Sequence, residues 1–107
     1  MRIVAFVGPS GTGKSHRAQM VAREKNIDYI IDDAILVSQN KVVAGTSAKK
    51  ASTKIESVKR ALFSMPGQAE EMKEAIKKEK PKSILILGTS DGMVQKIVAN
   101  LGLPEIE

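Results

Sequence analysis

Three short runs of apolar residues divide the chain and predict its buried strands. They lie within residues 3–7, 27–33 and 83–87. Apolar runs of this length, rich in β-branched residues, are typical of strands that are covered on both faces of a parallel sheet. In a different pattern, residues 35–37 and 42–43 flank a polar stretch that contains Asn40. This arrangement predicts a β-hairpin, in which Asn40 is suited to a left-handed turn position.

Between these runs, apolar residues recur every three or four positions and predict four helices. They span about residues 14–25, 51–65, 68–79 and 90–101. The second helix has an apolar stripe, formed by Ala51, Ile55, Val58, Leu62 and Met65. Asn26 is suited to end the first helix in a left-handed conformation, while Ser90 is the expected N-cap of the last helix and Gly102 its stop. The pattern β-α-β-hairpin-α-α-β-α indicates an α/β fold.

Residues 8–15 read Gly-Pro-Ser-Gly-Thr-Gly-Lys-Ser and match the phosphate-binding P-loop pattern G-x-x-x-x-G-K-[ST]. They lie between the first predicted strand and the first predicted helix, where the mechanism of phosphate binding requires them. Gly8, Gly11 and Gly13 can adopt positive φ, so consecutive backbone N–H groups can face one anion. The helix N-terminus adds the positive end of its dipole. The competing interpretation is a Gly-rich turn from strand to helix that binds no ligand.

On this motif, residues 1–33 resemble the opening of a P-loop protein that binds nucleoside triphosphates. The resemblance implies ATP and Mg²⁺ as ligands, with Lys14 reaching the β- and γ-phosphates and the Ser15 hydroxyl ligating the metal ion. The residues expected to contact the nucleotide are Gly8, Pro9, Ser10, Gly11, Thr12, Gly13, Lys14, Ser15 and His16. For His16, an exposed position in the first helical turn is the simpler interpretation.

Two adjacent carboxylates, Asp32 and Asp33, follow the second apolar run. Because the carboxyl ends of parallel strands meet at one edge of a sheet, a parallel neighbour of the first strand would bring both to the P-loop. There they would act as the Walker-B side of the metal site, together with Ser15. The alternative is a polar turn after a strand. Asp91 competes for the same metal role if residues 83–87 lie beside the first strand, although helix capping is the first interpretation for Ser90 and Asp91.

The order of P-loop, helix, strand, Asp-Asp and hairpin resembles the catalytic core of HPr kinase/phosphorylase. In that family the strand ends in Ala-Asp-Asp followed by Val-x-Ile, and the matching stretch here is Ile-Asp-Asp-Ala-Ile-Leu at residues 31–36. The resemblance covers residues 8–37 and departs at Ile31, where the family has Ala, and the family's later signatures are missing. It implies that Asp32 or Asp33 serves as general base and metal ligand. The rest of the chain resembles no family of known function. Taken as a whole, the chain is similar to small uncharacterised bacterial ATP-binding proteins.

The bulk composition restricts the function classes. The chain has 17 Lys and Arg against 12 Asp and Glu, a net charge of +5, which suits an anionic ligand as well as an ordinary basic surface. Only three aromatic residues are present, so no base-stacking platform is predicted and nucleic acid is an unlikely partner. Without Cys, disulfides and thiolate metal sites are excluded. No signal peptide or membrane-spanning run is evident, so a cytoplasmic protein that does not bind membranes is expected.

These observations predict a three-layer α/β/α P-loop NTPase-like domain, with a mainly parallel sheet, a β-hairpin insertion and an incomplete core. Residues 1–107 form one nucleotide-binding domain, interpreted as an N-terminal domain or a piece of a longer chain. The reason is that only three parallel strands are evident, whereas cores of this kind usually have five or more. Residues 103–107 resemble the approach to another strand. An open sheet edge would need a partner, which suggests a homo-oligomer.

The predicted activity is binding of ATP and Mg²⁺, with phosphoryl transfer or hydrolysis in which Lys14 and Asp33 are the catalytic residues. The acceptor is unknown, and Asn40-Lys41-Val42-Val43 lacks the Asp of the guanine-selective motif Asn-Lys-x-Asp. A second hypothesis is a nucleotide-sensing module without turnover, in which binding orders residues 45–54 and presents a basic surface to a protein partner. A third, weaker hypothesis is a basic protein associated with RNA.

Overall fold

The computed structural model describes residues 1–8, 13–38, 41–45, 55, 59, 62–63 and 67–106. In this part of the chain there are five strands and three helices. The strands are β1 (Arg2–Val7), β2 (Tyr29–Asp32), β3 (Ile35–Ser38), β4 (Lys41–Gly45) and β5 (Ser83–Gly88). The helices are α1 (Lys14–Glu24), α2 (Gln68–Glu79) and α3 (Asp91–Leu101). The α/β class predicted from the sequence is therefore confirmed.

The five strands form one mixed sheet in the order β1-β5-β2-β3-β4. β5 pairs in parallel with β1 on one side and with β2 on the other, which confirms the three parallel strands expected from the apolar runs. The β2–β3 and β3–β4 pairs are antiparallel. The prediction of a mainly parallel sheet is wrong, because the hairpin is not an excursion from the sheet. It extends the sheet by two strands beyond β2.

Alternation along the parallel strands separates two apolar clusters on opposite faces of the sheet. On one face, Val4, Phe6, Leu85 and Leu87 pack with Ala18 and Ala22 of α1. On the other face, Ile3, Ile84 and Ile86 pack with residues of α2 and α3, including Met72, Ile76, Val94, Ile97 and Leu101. All six residues of β5 are buried, as expected for a central strand covered on both sides.

The ends of the helices follow from local sequence signals. The Ser90 side chain accepts a hydrogen bond from the backbone N–H of Met93 at 3.2 Å, which confirms Ser90 as the N-cap of α3. Gly102 ends α3 with φ 63° and Asn26 follows α1 with φ 58°, so both predicted left-handed stops are confirmed. α2 ends at Glu79, and its C-cap Lys80 is also left-handed and immediately precedes Pro81.

The predicted hairpin is confirmed as β3 and β4, although Asn40 lies outside the described residues. A second, tighter hairpin joins β2 to β3. Asp32 pairs with Ile35, so Asp33 and Ala34 alone form the loop, with φ values of 52° and 68°. Two consecutive left-handed residues are characteristic of a type I′ turn, whose twist matches that of the flanking strands.

The predicted helix over 51–65 lies mostly outside the described residues. Of its apolar stripe, Ile55 is 70% exposed, whereas the prediction placed it inward. Leu62 packs against the α2–α3 face of the core, next to the buried Phe63. The Asn100 side-chain amide of α3 donates a 2.7 Å hydrogen bond to the Leu62 carbonyl, which fixes this segment to α3.

The end of the chain reaches the outer edge of β1. Ile106 forms an isolated parallel bridge with Ile3, where the sequence suggested the approach to another strand. At the other edge of the sheet, β4 exposes Val42 by 60% and Val43 by 40%. No helix within the described ranges is long and apolar enough to cross a membrane.

Candidate functional site

The carboxyl ends of the three parallel strands meet at one edge of the sheet, and the candidate residues follow them. Val7 of β1 lies opposite Gly88 of β5, and Ile31 of β2 lies opposite Ile86. Residues that come directly after these strands therefore share this edge, which we call the carboxyl edge. They include Gly8, the Asp32–Asp33 pair and the turn from Thr89 to Asp91.

Both ends of the P-loop motif are held by regular structure at the carboxyl edge. The Gly8 N–H donates a 3.1 Å hydrogen bond to the Gly88 carbonyl, which extends the β1–β5 pairing by one residue. At the other end, Gly13 is left-handed with φ 73° and is the N-cap of α1, which begins at Lys14. The strand and the helix expected around the motif are thus confirmed, whereas Pro9, Ser10, Gly11 and Thr12 lie outside the described residues.

The N-terminus of α1 has the electrostatic character of an anion site. Its first turn, residues 14–17, contains Lys14, His16 and Arg17 and no carboxylate. Gly13 provides no side chain to accept hydrogen bonds from the first helical N–H groups, as Ser90 does for α3. Lys14 and Ser15 belong to this first turn by their backbone, and His16 is exposed beside them. The helix dipole favours an anion at the N-terminus of a helix.

β5 brings a polar turn next to the P-loop. Thr89 follows Gly88, and both its N–H and its hydroxyl lie 3.5 Å from the Met93 sulfur atom. Ser90 is engaged as the cap of α3, and Asp91 is exposed in the first turn of that helix, where a negative charge complements the dipole. The capping interpretation is confirmed for Ser90. Asp91 follows β5, which is the strand adjacent to β1, as the sequence hypothesis required.

The predicted adjacency of Asp32 and Asp33 to the P-loop strand needs correction, because β5 lies between β1 and β2. Strands are spaced by about 4.8 Å, so the end of β2 is roughly 10 Å from the end of β1. Both carboxylates remain at the carboxyl edge. Side chains alternate along β2, and Ile30 packs on the α1 side while Ile31 packs on the α2–α3 side. Asp32 therefore shares the α1 side of the sheet with Ile30.

Asp33 lies in the type I′ turn between β2 and β3. This position agrees with the alternative prediction that the aspartate pair forms a polar turn after a strand. Ala34 is 1% exposed and left-handed, a conformation that costs an alanine about 1 kcal/mol or more. Gly45, with φ 90°, lies against this turn so closely that a Cβ atom there would overlap the Ala34 carbonyl oxygen. The end of β4 thus fixes the backbone next to Asp33.

The donor groups at this edge suit a hard cation in part. Carboxylate and hydroxyl oxygens are the ligands that Mg²⁺ prefers, and Mg²⁺ usually takes one or two of them together with water and phosphate oxygens. In the part of the chain that is described, no group of three or more His, Cys, Asp or Glu side chains converges on one point.

A second polar cluster lies at the opposite, amino edge of the sheet, and no sequence motif predicts it. One Asp28 carboxylate oxygen accepts hydrogen bonds from the Ser83 N–H at 3.0 Å and the Ser83 hydroxyl at 2.9 Å, and the other accepts from the Lys82 N–H at 3.2 Å. Partial burial raises the pKa of Asp28, but these hydrogen bonds outweigh it and leave the pKa below its ordinary value.

Next to this cluster, the Tyr29 hydroxyl donates a 2.9 Å hydrogen bond to Glu79 of α2. Burial and the Glu79 carboxylate both raise the pKa of Tyr29. The Asp28 and Tyr29 contacts connect β2 to the start of β5 and to α2 across 50 or more residues of sequence. No local motif marks such pairs, which is why the sequence analysis missed them.

No family model matches the chain, and neither a curated protein nor a solved structure matches it. The residues and geometry of the carboxyl edge are therefore the basis for a functional assignment.

Proposed function

We propose that the protein binds ATP and Mg²⁺ as a P-loop protein of the three-layer α/β/α NTPase-like class. One observation carries the proposal: the motif at residues 8–15 begins at the carboxyl end of β1 and ends at the N-terminus of α1. A chance match to the motif would not require this placement. The arrangement of α1 on one face of the sheet and α2 and α3 on the other supports the proposed class.

In this proposal the phosphates lie over the N-terminus of α1. The backbone N–H groups after Gly8 contact the phosphate oxygens, because the Gly8 N–H is already bonded to Gly88. Lys14 neutralises the β- and γ-phosphates, and the Ser15 hydroxyl holds Mg²⁺. The left-handed Gly13 leaves the helical N–H groups open to the ligand, and a Cβ atom built there would meet nothing within 4 Å.

On the metal side, Asp32 is the better placed member of the aspartate pair. It shares the α1 side of the sheet, whereas Asp33 is part of the turn. Asp91 is the alternative, since it follows the strand directly adjacent to β1. Bound Mg²⁺ would neutralise phosphate charge, and the chain's own contribution would be to hold that ion and its water ligands in place.

Turnover is the second part of the proposal, as phosphoryl transfer or hydrolysis with Asp33 as the base that orients the nucleophile. One observation favours the alternative of a nucleotide sensor without turnover. β5 separates the aspartate pair from the P-loop strand, and the residues that it places beside the loop are Gly88 and Thr89, which have no carboxylate. Phosphate release distinguishes the two: turnover that is lost in Asp33→Asn while ATP still binds supports the enzyme.

The binding proposal is tested with Lys14→Ala. Wild-type protein is expected to unfold at higher temperature with ATP-Mg²⁺, since ligand at 100 times its Kd adds about 2.7 kcal/mol of stability. Lys14→Ala should lose this increase, because the charge that pairs with the phosphates is gone. Lys25→Ala is the matched control at the other end of α1, and it should retain the increase. An equal melting shift in all three proteins would refute the proposal.

A further inference from the structure

Gly88 occupies a position at which three parts of the site meet. It is the last residue of β5, it is buried, and its carbonyl accepts the hydrogen bond from the Gly8 N–H where the P-loop begins. It is also the residue from which the chain turns into α3. Its position therefore determines where the β1–β5 pairing ends and the phosphate-binding loop starts.

The α3 side of Gly88 has no room for a side chain. A Cβ atom built on Gly88 would lie 2.7 Å from Cγ2 of Val94, and real Cβ atoms essentially never approach another atom so closely. Val94 is 0% exposed and β-branched, so its rotamer cannot move away cheaply. Gly88 does not need positive φ, since its φ lies outside that range. The requirement for glycine here is one of space.

We infer that Gly88 is a positioning residue for the phosphate-binding loop. Its missing side chain lets the end of β5 fit between Gly8 and Val94, and this contact sets the position of Gly8, where the loop begins, relative to α3. A side chain at residue 88 must displace either α3 or the end of β5, and displacing β5 moves the Gly88 carbonyl that holds Gly8. The inference depends on the proposed nucleotide site, because its effect is a change in nucleotide binding.

Gly88→Ala is expected to weaken ATP-Mg²⁺ binding at least about tenfold, since a shift of 1 Å in a binding group can cost that much or more. Val94→Ala removes the conflicting methyl group and is expected to lower stability while leaving the Kd within about twofold of wild type. The double variant Gly88→Ala, Val94→Ala should recover a Kd within about threefold of wild type. A residue that only supports the fold would not produce this recovery of affinity.

Calorimetry of the four full-length proteins measures these Kd values, and hydrogen exchange of the Gly8 amide without nucleotide reports the contact itself. Faster Gly8 exchange in Gly88→Ala, reversed in the double variant, supports the inference. Unchanged affinity in a folded Gly88→Ala, or no recovery in the double variant, overturns it. If Gly88→Ala does not fold, the double variant decides alone: near wild-type Kd supports the inference and weak binding overturns it. Failure of the wild type to bind ATP-Mg²⁺ would instead overturn the proposed function, and the inference with it.

Discussion

The two edges of the parallel sheet use their polar groups in opposite ways. At the amino edge, the carboxylate of Asp28 accepts three hydrogen bonds from two residues, and Tyr29 is bonded to Glu79. At the carboxyl edge, two strands end in contacts between glycine backbones, and α1 begins at a glycine without a capping side chain among the described residues. At the amino edge the described polar groups bond one another, whereas at the carboxyl edge no capping side chain is described for α1.

This difference predicts that substitutions at the amino edge lower the stability of the fold without changing nucleotide affinity. Asp28→Ala removes the acceptor for the Ser83 N–H and hydroxyl, and Ser83 is 3% exposed. Leaving these groups without a partner should lower the free energy of unfolding by about 2 kcal/mol. Urea denaturation measures the loss, with Glu105→Ala, an exposed carboxylate near the end of the chain, as control. Nucleotide affinity should not change, and a large change in Kd would break the contrast between the edges.

A smaller loss is expected from Ser90→Ala at the carboxyl edge. The variant removes the hydrogen bond to the Met93 N–H and should cost about 1 kcal/mol, as for other N-cap residues. Ser90→Asp is the matched control, because its carboxylate can accept the same hydrogen bond. Thermal unfolding of both variants measures the difference. Equal stability of Ser90→Ala and wild type would mean that the cap does not support α3.

The smallest expected effect is the pH dependence of the amino edge. Because the pKa of Asp28 is lower in the folded protein than its ordinary value of 3.8, its ionised form stabilises the fold. This contribution is complete above about pH 4 and is lost as the pH falls through the lower, folded pKa. Urea midpoints measured between pH 6 and 3 should fall less steeply in Asp28→Asn than in wild type. Identical slopes would show that Asp28 does not titrate in this way.

Local signals explain which parts of the fold the sequence predicted. The apolar runs of β1 and β5, the cap at Ser90 and the stop at Asn26 each depend on neighbouring residues, and all of them are confirmed. Strand order depends on pairing between distant segments. No local pattern of β5 indicates that it inserts between β1 and β2, and this insertion alters the expected setting of Asp32 and Asp33.

The candidate site also combines a part that the local sequence predicts with a part that depends on contacts between distant segments. The P-loop is a continuous motif, so its strand and helix could be predicted from residues 3–25. The candidate metal ligands Asp32, Asp33 and Asp91 follow other strands. The sequence could propose all three, but it could not show which of them lies nearest the P-loop. Gly88 shows the limit most clearly, since Gly-Thr-Ser after an apolar run is an ordinary strand end, and the contacts with Gly8 and Val94 appear only in the folded chain.

The Tyr29–Glu79 contact has a practical consequence for spectroscopy. The chain contains one tyrosine and no tryptophan, so its intrinsic tyrosine fluorescence comes from Tyr29 alone. Tyr29 is partly buried in the α2–α3 core and bonded to a carboxylate at the amino edge. Its fluorescence therefore reports on the junction of β2 and α2 at the amino edge of the sheet, and it gives a probe of unfolding that is built into the protein.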